Sequence, residues 1–172
     1  MARAWEVPGL GPRTRFREAA GRVLIVRWRE MLSHREGTER GEDVEALHAM
    51  RVSARRLRSA MDAFADAFPR KAHRRRLRMV KRVADTLGEA RDLDVAIAEL
   101  RALEPTMADG DRPGIQGLIA RYEARRRAED PRIRALFAEM DQDRVDERFV
   151  RWVTRHTGVD AEALDPRPPG RG

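Results

Sequence analysis

The stretch VEALHAMRVSARRLRSAMDAFADAF, Val44 to Phe68, carries two interlocked stripes that decide the fold and point toward the function. Leu47, Met50, Ala54, Leu57, Met61, Phe64 and Phe68 recur at three- and four-residue steps, the apolar seam of a helix that packs against other helices. One residue after a member of that seam sit His48, Arg51, Arg55 and Arg58. At about 100° per residue these four form a cationic rail immediately beside the seam. An ordinary solvated face mixes signs so that Glu and Lys pair four residues apart. This one has a single sign and is mostly Arg, whose planar fork suits phosphate oxygens.

Working outward, the whole chain has 172 residues, the length of one domain with a real core. Charged residues make up 38% and aromatics only 5%, which suits a helical bundle better than a sheet. The net charge is +7 and unevenly spread. Between His48 and Arg91 there are 13 Lys or Arg against 4 Asp or Glu, a local balance of +9 that leaves −2 for the rest. Such a field attracts polyanions: nucleic acid, polyphosphate or anionic lipid. Lys71 and Lys81 are the sole lysines, and a genome's base composition can favour Arg over Lys, but it does not explain the clustering. The absence of cysteine excludes disulfides and thiolate chemistry and favours a cytoplasmic setting. No apolar run approaches the roughly 20 residues that span a bilayer, so no membrane association is expected. Nor is a signal peptide expected: the apolar run Val23 to Val26 is short and flanked by Arg22 and Arg27.

The expected architecture is all-α, an antiparallel bundle of about four long helices with a short extra C-terminal helix. Residues 1–12 read as a flexible N-terminal arm, 13–157 as a single helical domain, and 158–172 as a disordered Pro/Gly/Arg tail. The first helix is expected over Thr14 to Ser33, followed by a turn from Gly37 to Gly41. Asp43 is placed to cap the second helix, which ends near Phe68 before Pro69. A long third helix starts near Arg70 and carries Gly88 within it. A mobile loop from Pro105 to Gly114 precedes a fourth helix from Ile115, which Pro131 either kinks or ends. Phe149, Trp152 and Val153 give a last apolar face.

A second basic rail lies on the third helix, where Arg74, Arg78, Lys81 and Arg82 share a side and Arg91 follows past Gly88. For Arg74, Arg75 and Arg76, which point in different directions, a plain solvated surface competes with a binding role. Arg121, Arg125 and Arg126 offer a third rail. Three rails facing one groove would make an electrostatic trough. His48 is expected to donate a hydrogen bond to phosphate rather than act as a base. Asp92 and Asp94 in Arg91-Asp92-Leu93-Asp94 differ by about 200° around a helix, which does not favour shared chelation of a metal. Their expected work is to hold an Arg of a neighbouring helix. No Gly-rich phosphate loop or histidine ligand spacing is present, so no cofactor, metal or catalytic residue is expected.

His48-Ala-Met50-Arg51-Val52-Ser-Ala-Arg55-Arg56-Leu57-Arg58, followed by Leu87-Gly88-Glu-Ala-Arg91-Asp92-Leu93-Asp94-Val95, resembles the two motifs of the CHAD domain, the conserved histidine α-helical domain. The resemblance covers about Arg15 to Val153. It implies a non-catalytic helical module that binds inorganic polyphosphate through a basic groove and is associated with polyphosphate granules. By motif, the binding roles fall on His48, Arg51, Arg55, Arg56, Arg58, Arg78, Lys81, Arg82 and Arg91, to which the rails add Arg74 and Arg125. CHAD proteins usually contain two related four-helix halves, and this chain resembles the first, so two copies could pair as a homodimer. Other phosphate or sulfate anions could compete for the same donors. The alternatives are a nucleic-acid (RNA or DNA) binding helical protein, from the same electrostatics, and a metal-dependent phosphohydrolase using His48 with Asp92 or Asp94.

Overall fold

The computed structural model describes residues 4–41, 43–164 and 166. Six α-helices occur among them: α1 (Phe16–Leu32), α2 (Arg35–Arg40), α3 (Val44–Ala63), α4 (Arg70–Leu103), α5 (Arg112–Gln142) and α6 (Val145–Thr157). Two single turns of 3-10 helix, Ala65–Ala67 and Glu104–Thr106, lie in the connections on either side of α4. No strand occurs among the described residues, and the fold is all-α as expected.

Local chemistry sets the ends of these helices. Asp43 Oδ1 accepts from the backbone N–H of Glu45 at 2.9 Å and of Ala46 at 3.0 Å, satisfying donors that the first turn of α3 leaves unpaired. Pro69 stands at the entrance of α4 in extended conformation, and its ring disfavours helical backbone at Phe68 before it, which is extended. Gly41 closes α2 with φ of 75°, a left-handed value that costs glycine little.

The helices pack in a ring in which α1 lies against α3, α3 against α4, α4 against α5, and α6 closes on α1 and α5. Cross-contacts show the directions. On α3 and α4, His73 Nε2 meets Met61 O at 2.9 Å near the connection, while Arg51 approaches Asp92 at the far end. One index rises as the other falls, so the two run antiparallel. On α4 and α5, Arg82 meets Glu139, Glu89 meets Arg132, Asp94 meets Arg126 and Arg101 meets Glu123, again antiparallel and in one register.

Buried apolar residues of α1, α3, α4, α5 and α6 form one core cluster. Trp28 is fully buried, stacks on Phe149 with ring centroids 4.2 Å apart, and donates its indole N–H to Asp146 at 2.6 Å. Burying the ring while giving its N–H a partner avoids the desolvation penalty of an orphaned donor. Trp152 packs on Phe68 at 4.2 Å, joining α6 to the α3–α4 connection. The seam Leu47, Met50, Ala54, Leu57 and Met61 is buried as its spacing predicts.

Four expectations are corrected. The segment Gly37 to Gly41 is not a plain turn: it belongs to α2 and its cap, because Arg35–Arg40 lies against α3 and Thr38 is buried there. α3 ends at Ala63 and not near Phe68, which comes after the 3-10 turn in extended conformation and buries its ring against Trp152. α5 starts at Arg112 and continues through Pro131 to Gln142, at the loss of the one backbone donor that proline lacks. The supposed arm and tail are tied down where described. Arg27 and Arg22 of α1 donate to the carbonyls of Trp5 at 2.8 Å and Pro8 at 3.2 Å. Val159, Ala161 and Leu164 are buried in the core cluster, and Arg29 donates to Leu164 O at 2.8 Å. The remainder of both segments, residues 1–3, 165 and 167–172, lies outside the described residues.

Gly21 marks where this C-terminal segment crosses α1. A Cβ there would fall 2.6 Å from Val159 Cγ2 and 2.8 Å from Thr157 Cβ, both on stiff β-branched side chains. Gly21→Ala should therefore destabilise by about 1–3 kcal/mol, read as a lower midpoint in denaturant melts followed by circular dichroism.

Candidate functional site: a cationic trough between α3 and α4

The α3 rail and the α4 rail meet at Gly88. Its missing side chain lies beneath Arg51: a Cβ built there would contact Arg51 Nε at 3.7 Å, and Arg51 Nη2 stands 3.7 Å from Asp92 Oδ1. Gly88 therefore identifies the side of α4 that faces α3. Lys81 and Arg74 precede it by seven and fourteen residues, and an α-helix drifts only about 20° per seven. Both therefore share that side. On α3, Arg55 and Arg58 follow Arg51 by four and seven. Since the helices are antiparallel, the step from Arg51 to Arg58 and the step from Gly88 to Lys81 cover the same rise of about 10 Å. The result is a trough edged by Arg51, Arg55 and Arg58 on one wall and by Lys81 and Arg74 on the other. Arg91, half-buried one turn beyond Gly88, lies at its end beside Val44 and Glu45.

Charge compensation is distributed unequally. Among the described residues, Arg55, Arg58, Arg74, Arg78, Lys81 and Arg91 have no ion pair, and Arg51 has only the long approach to Asp92. The opposite flank of α4 is laced to α5 by carboxylates. Arg82 makes a fork-to-fork contact with Glu139, at 2.5 Å for each nitrogen, Glu89 takes Arg132 at 2.7 Å, and Arg101 takes Glu123 at 2.6 Å. Arg82 holds the Glu139 carboxyl below its usual value, and Arg35 on α2 does the same to Asp141 on α5. A depressed carboxyl stabilises above the ordinary carboxylate range and loses that contribution as pH falls through the depressed value. Both pairs are exposed, so the contribution is small.

Deeper in the same seam, Arg126 is buried and bridges Asp94 at 2.8 Å and Asp130 at 2.5 Å. Burial pulls this guanidinium down, but the hydrogen bonds and charges of the two carboxylates outweigh it, and the net shift is upward. Asp94 thus holds an Arg of a neighbouring helix, as its sequence setting suggests, and Asp92 reaches toward Arg51 in the same manner. Neither faces a third acid: among the described residues no group of three His, Cys, Asp or Glu could hold a metal ion.

The sequence-predicted residues therefore divide. His48, Arg51, Arg55, Arg58, Arg74, Lys81 and Arg91 come together along the trough. His48 is half-buried, and its Nδ1 is enclosed without a hydrogen-bond partner, which leaves Nε2 as the nitrogen open to an anion. Arg78 stands on the outer edge of α4 and also borders a cleft toward α5 and α6. Three others are placed elsewhere. Arg56 turns to α1, where its Nη1 meets the buried Glu30 at 2.9 Å alongside Arg27. Arg82 belongs to the α5 seam. Arg125 is exposed over Tyr122 of its own helix, α5, and Arg126 of the same rail turns to Asp94 and Asp130. The acids responsible, Glu30 and Glu139, are distant in sequence from their partners. The one signal for Glu30 is an acid set among the apolar positions of α1.

Two comparisons with known proteins bear on this arrangement. The family model described as the CHAD domain matches residues 22–170. The crystal structure of the CHAD domain from the plant Ricinus communis is similar, with a TM-score of 0.70 and 24% sequence identity over 95% of this chain and 52% of that chain. The chain thus spans about half the length of that relative, and at this identity the likeness is one of fold. No curated protein matches. Among the described residues no helix is long and apolar enough to cross a membrane.

The seam has a measurable consequence. Arg126→Ala leaves Asp94 and Asp130 facing each other without a cation, so unfolding free energy should fall by about 3–5 kcal/mol, read from urea midpoints.

Proposed function

This chain belongs to the CHAD domain family, and we propose that its α3–α4 trough binds inorganic polyphosphate without catalysing a reaction on it. The observation that carries the reading is the unequal compensation along α4. Four arginines at the α4–α5 interface, Arg82, Arg101, Arg126 and Arg132, are met by carboxylates, whereas the cations on the α3 flank line a groove with no ion-pair partner among the described residues beyond Asp92. Folding arginines into one groove without matching acids costs Coulomb energy, which an arriving polyanion returns. Polyphosphate presents charge at high density with no bases, so parallel rows of guanidinium and ammonium donors recognise it and no stacking aromatic is needed.

Nucleic acid fits less well. A single-strand binder offers aromatic platforms to bases, but Trp28 and Trp152 are buried in the core. A phosphohydrolase would need further groups converging near Asp92 or Asp94. With polyphosphate as the ligand goes a place in the cytoplasm at polyphosphate granules, and pairing of two copies to lengthen the trough.

The double variant Arg55→Ala, Arg58→Ala should weaken polyphosphate binding by about 1.5–3 kcal/mol for each contact removed, with helix content unchanged. Both side chains are exposed and fill no part of the core. Leu57→Ala, between them in sequence but fully buried, should instead cost about 2–5 kcal/mol of stability. Titration calorimetry and denaturant melts separate the two effects, and a loss of binding that only tracks unfolding would defeat the assignment. In competition at about physiological salt, polyphosphate should displace DNA, and incubation with polyphosphate and Mg²⁺ should release no phosphate. Light scattering should return twice the monomer mass, and a monomer's mass would remove the pairing alone.

A further inference from the structure

A second cationic feature lies on the other side of α4, in a cleft of about 570 Å³ bordered by α4, α5 and α6. Its chemistry differs from the trough in having an apolar floor. Half-buried Met79 and Val145 cover Leu136, Met140 and Phe149, and arginines stand around them. Five arginines and two carboxylates line it, a balance of +3. Arg75 and Arg148 are exposed and have no ion pair among the described residues, whereas Arg82 and Glu139 satisfy each other. Arg76 is pinned at the edge, its guanidinium 4.6 Å from the centre of the Trp152 ring and its Nη1 donating to Ala72 O at 3.2 Å. Burial, then the neighbouring charge of Arg75, pulls Arg76 below its ordinary value, a repulsion that an anion would relieve.

The floor and the lining acid narrow the class of ligand. Bare phosphate chains gain nothing from methionine and leucine surfaces, and they are repelled by Asp143, which has no ion pair among the described residues. A fatty acid would use the floor but offers Asp143 no donor. A ligand that satisfies all three surfaces carries phosphates, a flat apolar ring and an amino group. Arginine planes and adaptable thioethers suit the ring, and the volume is that of an ordinary small-molecule site. We propose that the α4–α5–α6 cleft binds a nucleoside polyphosphate, its phosphates on Arg75 and Arg148, its base over Met79 and Val145, and its exocyclic amino group toward Asp143.

The site is independent of the α3–α4 trough and is tested by calorimetry with metal-free ATP, tripolyphosphate and adenosine. ATP should bind about tenfold or more tightly than either fragment, since each supplies only part of the contact. Arg75→Ala with Arg148→Ala should weaken ATP by about tenfold or more while long-chain polyphosphate stays within about twofold. Arg55→Ala with Arg58→Ala should do the reverse, and both pairs are exposed, so circular dichroism should show unchanged helix content. Equal binding of tripolyphosphate and ATP, with both abolished by the α3 variant, would mean that ATP merely visits the trough and would overturn the proposal. So would the absence of ATP binding at about millimolar concentration. Failure of polyphosphate to bind wild-type protein would remove the trough's function and leave the ATP result standing.

Discussion

Everything the trough can do depends on how α4 divides its charges between two neighbours. This one helix carries basic residues almost all the way round its first half. A helix so charged would repel itself if every cation faced water at close range. The structure assigns the α5 flank to compensation: Glu139, Glu89, Asp94 and Glu123 meet arginines across that interface in a single register. Between α3 and α4 the one ion pair among the described residues is that of Arg51 with Asp92, and that at 3.7 Å. The cations of α4 left without a carboxylate are thereby gathered along its α3 flank and at the cleft toward α6.

That division requires α4 to be held at a fixed rotation, and the core supplies the constraint. The seam of α3 is buried along its length, so α3 cannot turn without exposing Leu47, Met50 or Leu57. α1 and α6 fix the opposite wall through the Trp28–Phe149 stack and the close crossing at Gly21. Close-packed interiors transmit such constraints without slack. The guanidinium groups therefore stand on rigid helices, with Arg51 laid over Gly88. Rigid donors lose less entropy on meeting a ligand than donors on loops.

Two kinds of acid act on the arginines. Glu30 is buried, Asp94 and Asp130 are half-buried around the buried Arg126, and these acids engage Arg56 and Arg126, which become part of the scaffold. Their removal would be felt as lost stability, because a buried charge without its partner is costly. Glu139, by contrast, is exposed, and its contact with Arg82 trims the field rather than supporting the fold. The cations left over differ in their surroundings, a bare trough toward α3 and an apolar-floored cleft toward α6, which is the physical basis for expecting two ligand chemistries.

Periodicity alone was enough to read the all-α class, the buried seam of α3, the Asp43 cap, the long α4 after Pro69 and the rail His48, Arg51, Arg55, Arg58, because each rests on contacts within a few turns of one helix. The same local information misplaced α2, the end of α3 and the segment after Gly158. There a short polar helix docks on α3, and scattered apolar residues such as Val159 and Leu164 find the core only once it exists. Nor could spacing tell Arg56 from Arg55, or Arg82 from Lys81. Their partners, Glu30 and Glu139, lie far along the chain, and whether a cation is spent or available depends on which acid the packed helices bring within about 4 Å of it. The sequence alone thus determined which residues carry charge and which face of each helix they occupy. Tertiary structure alone decided which charges remain uncompensated, since that is a property of pairs and the pairs form only when helices meet.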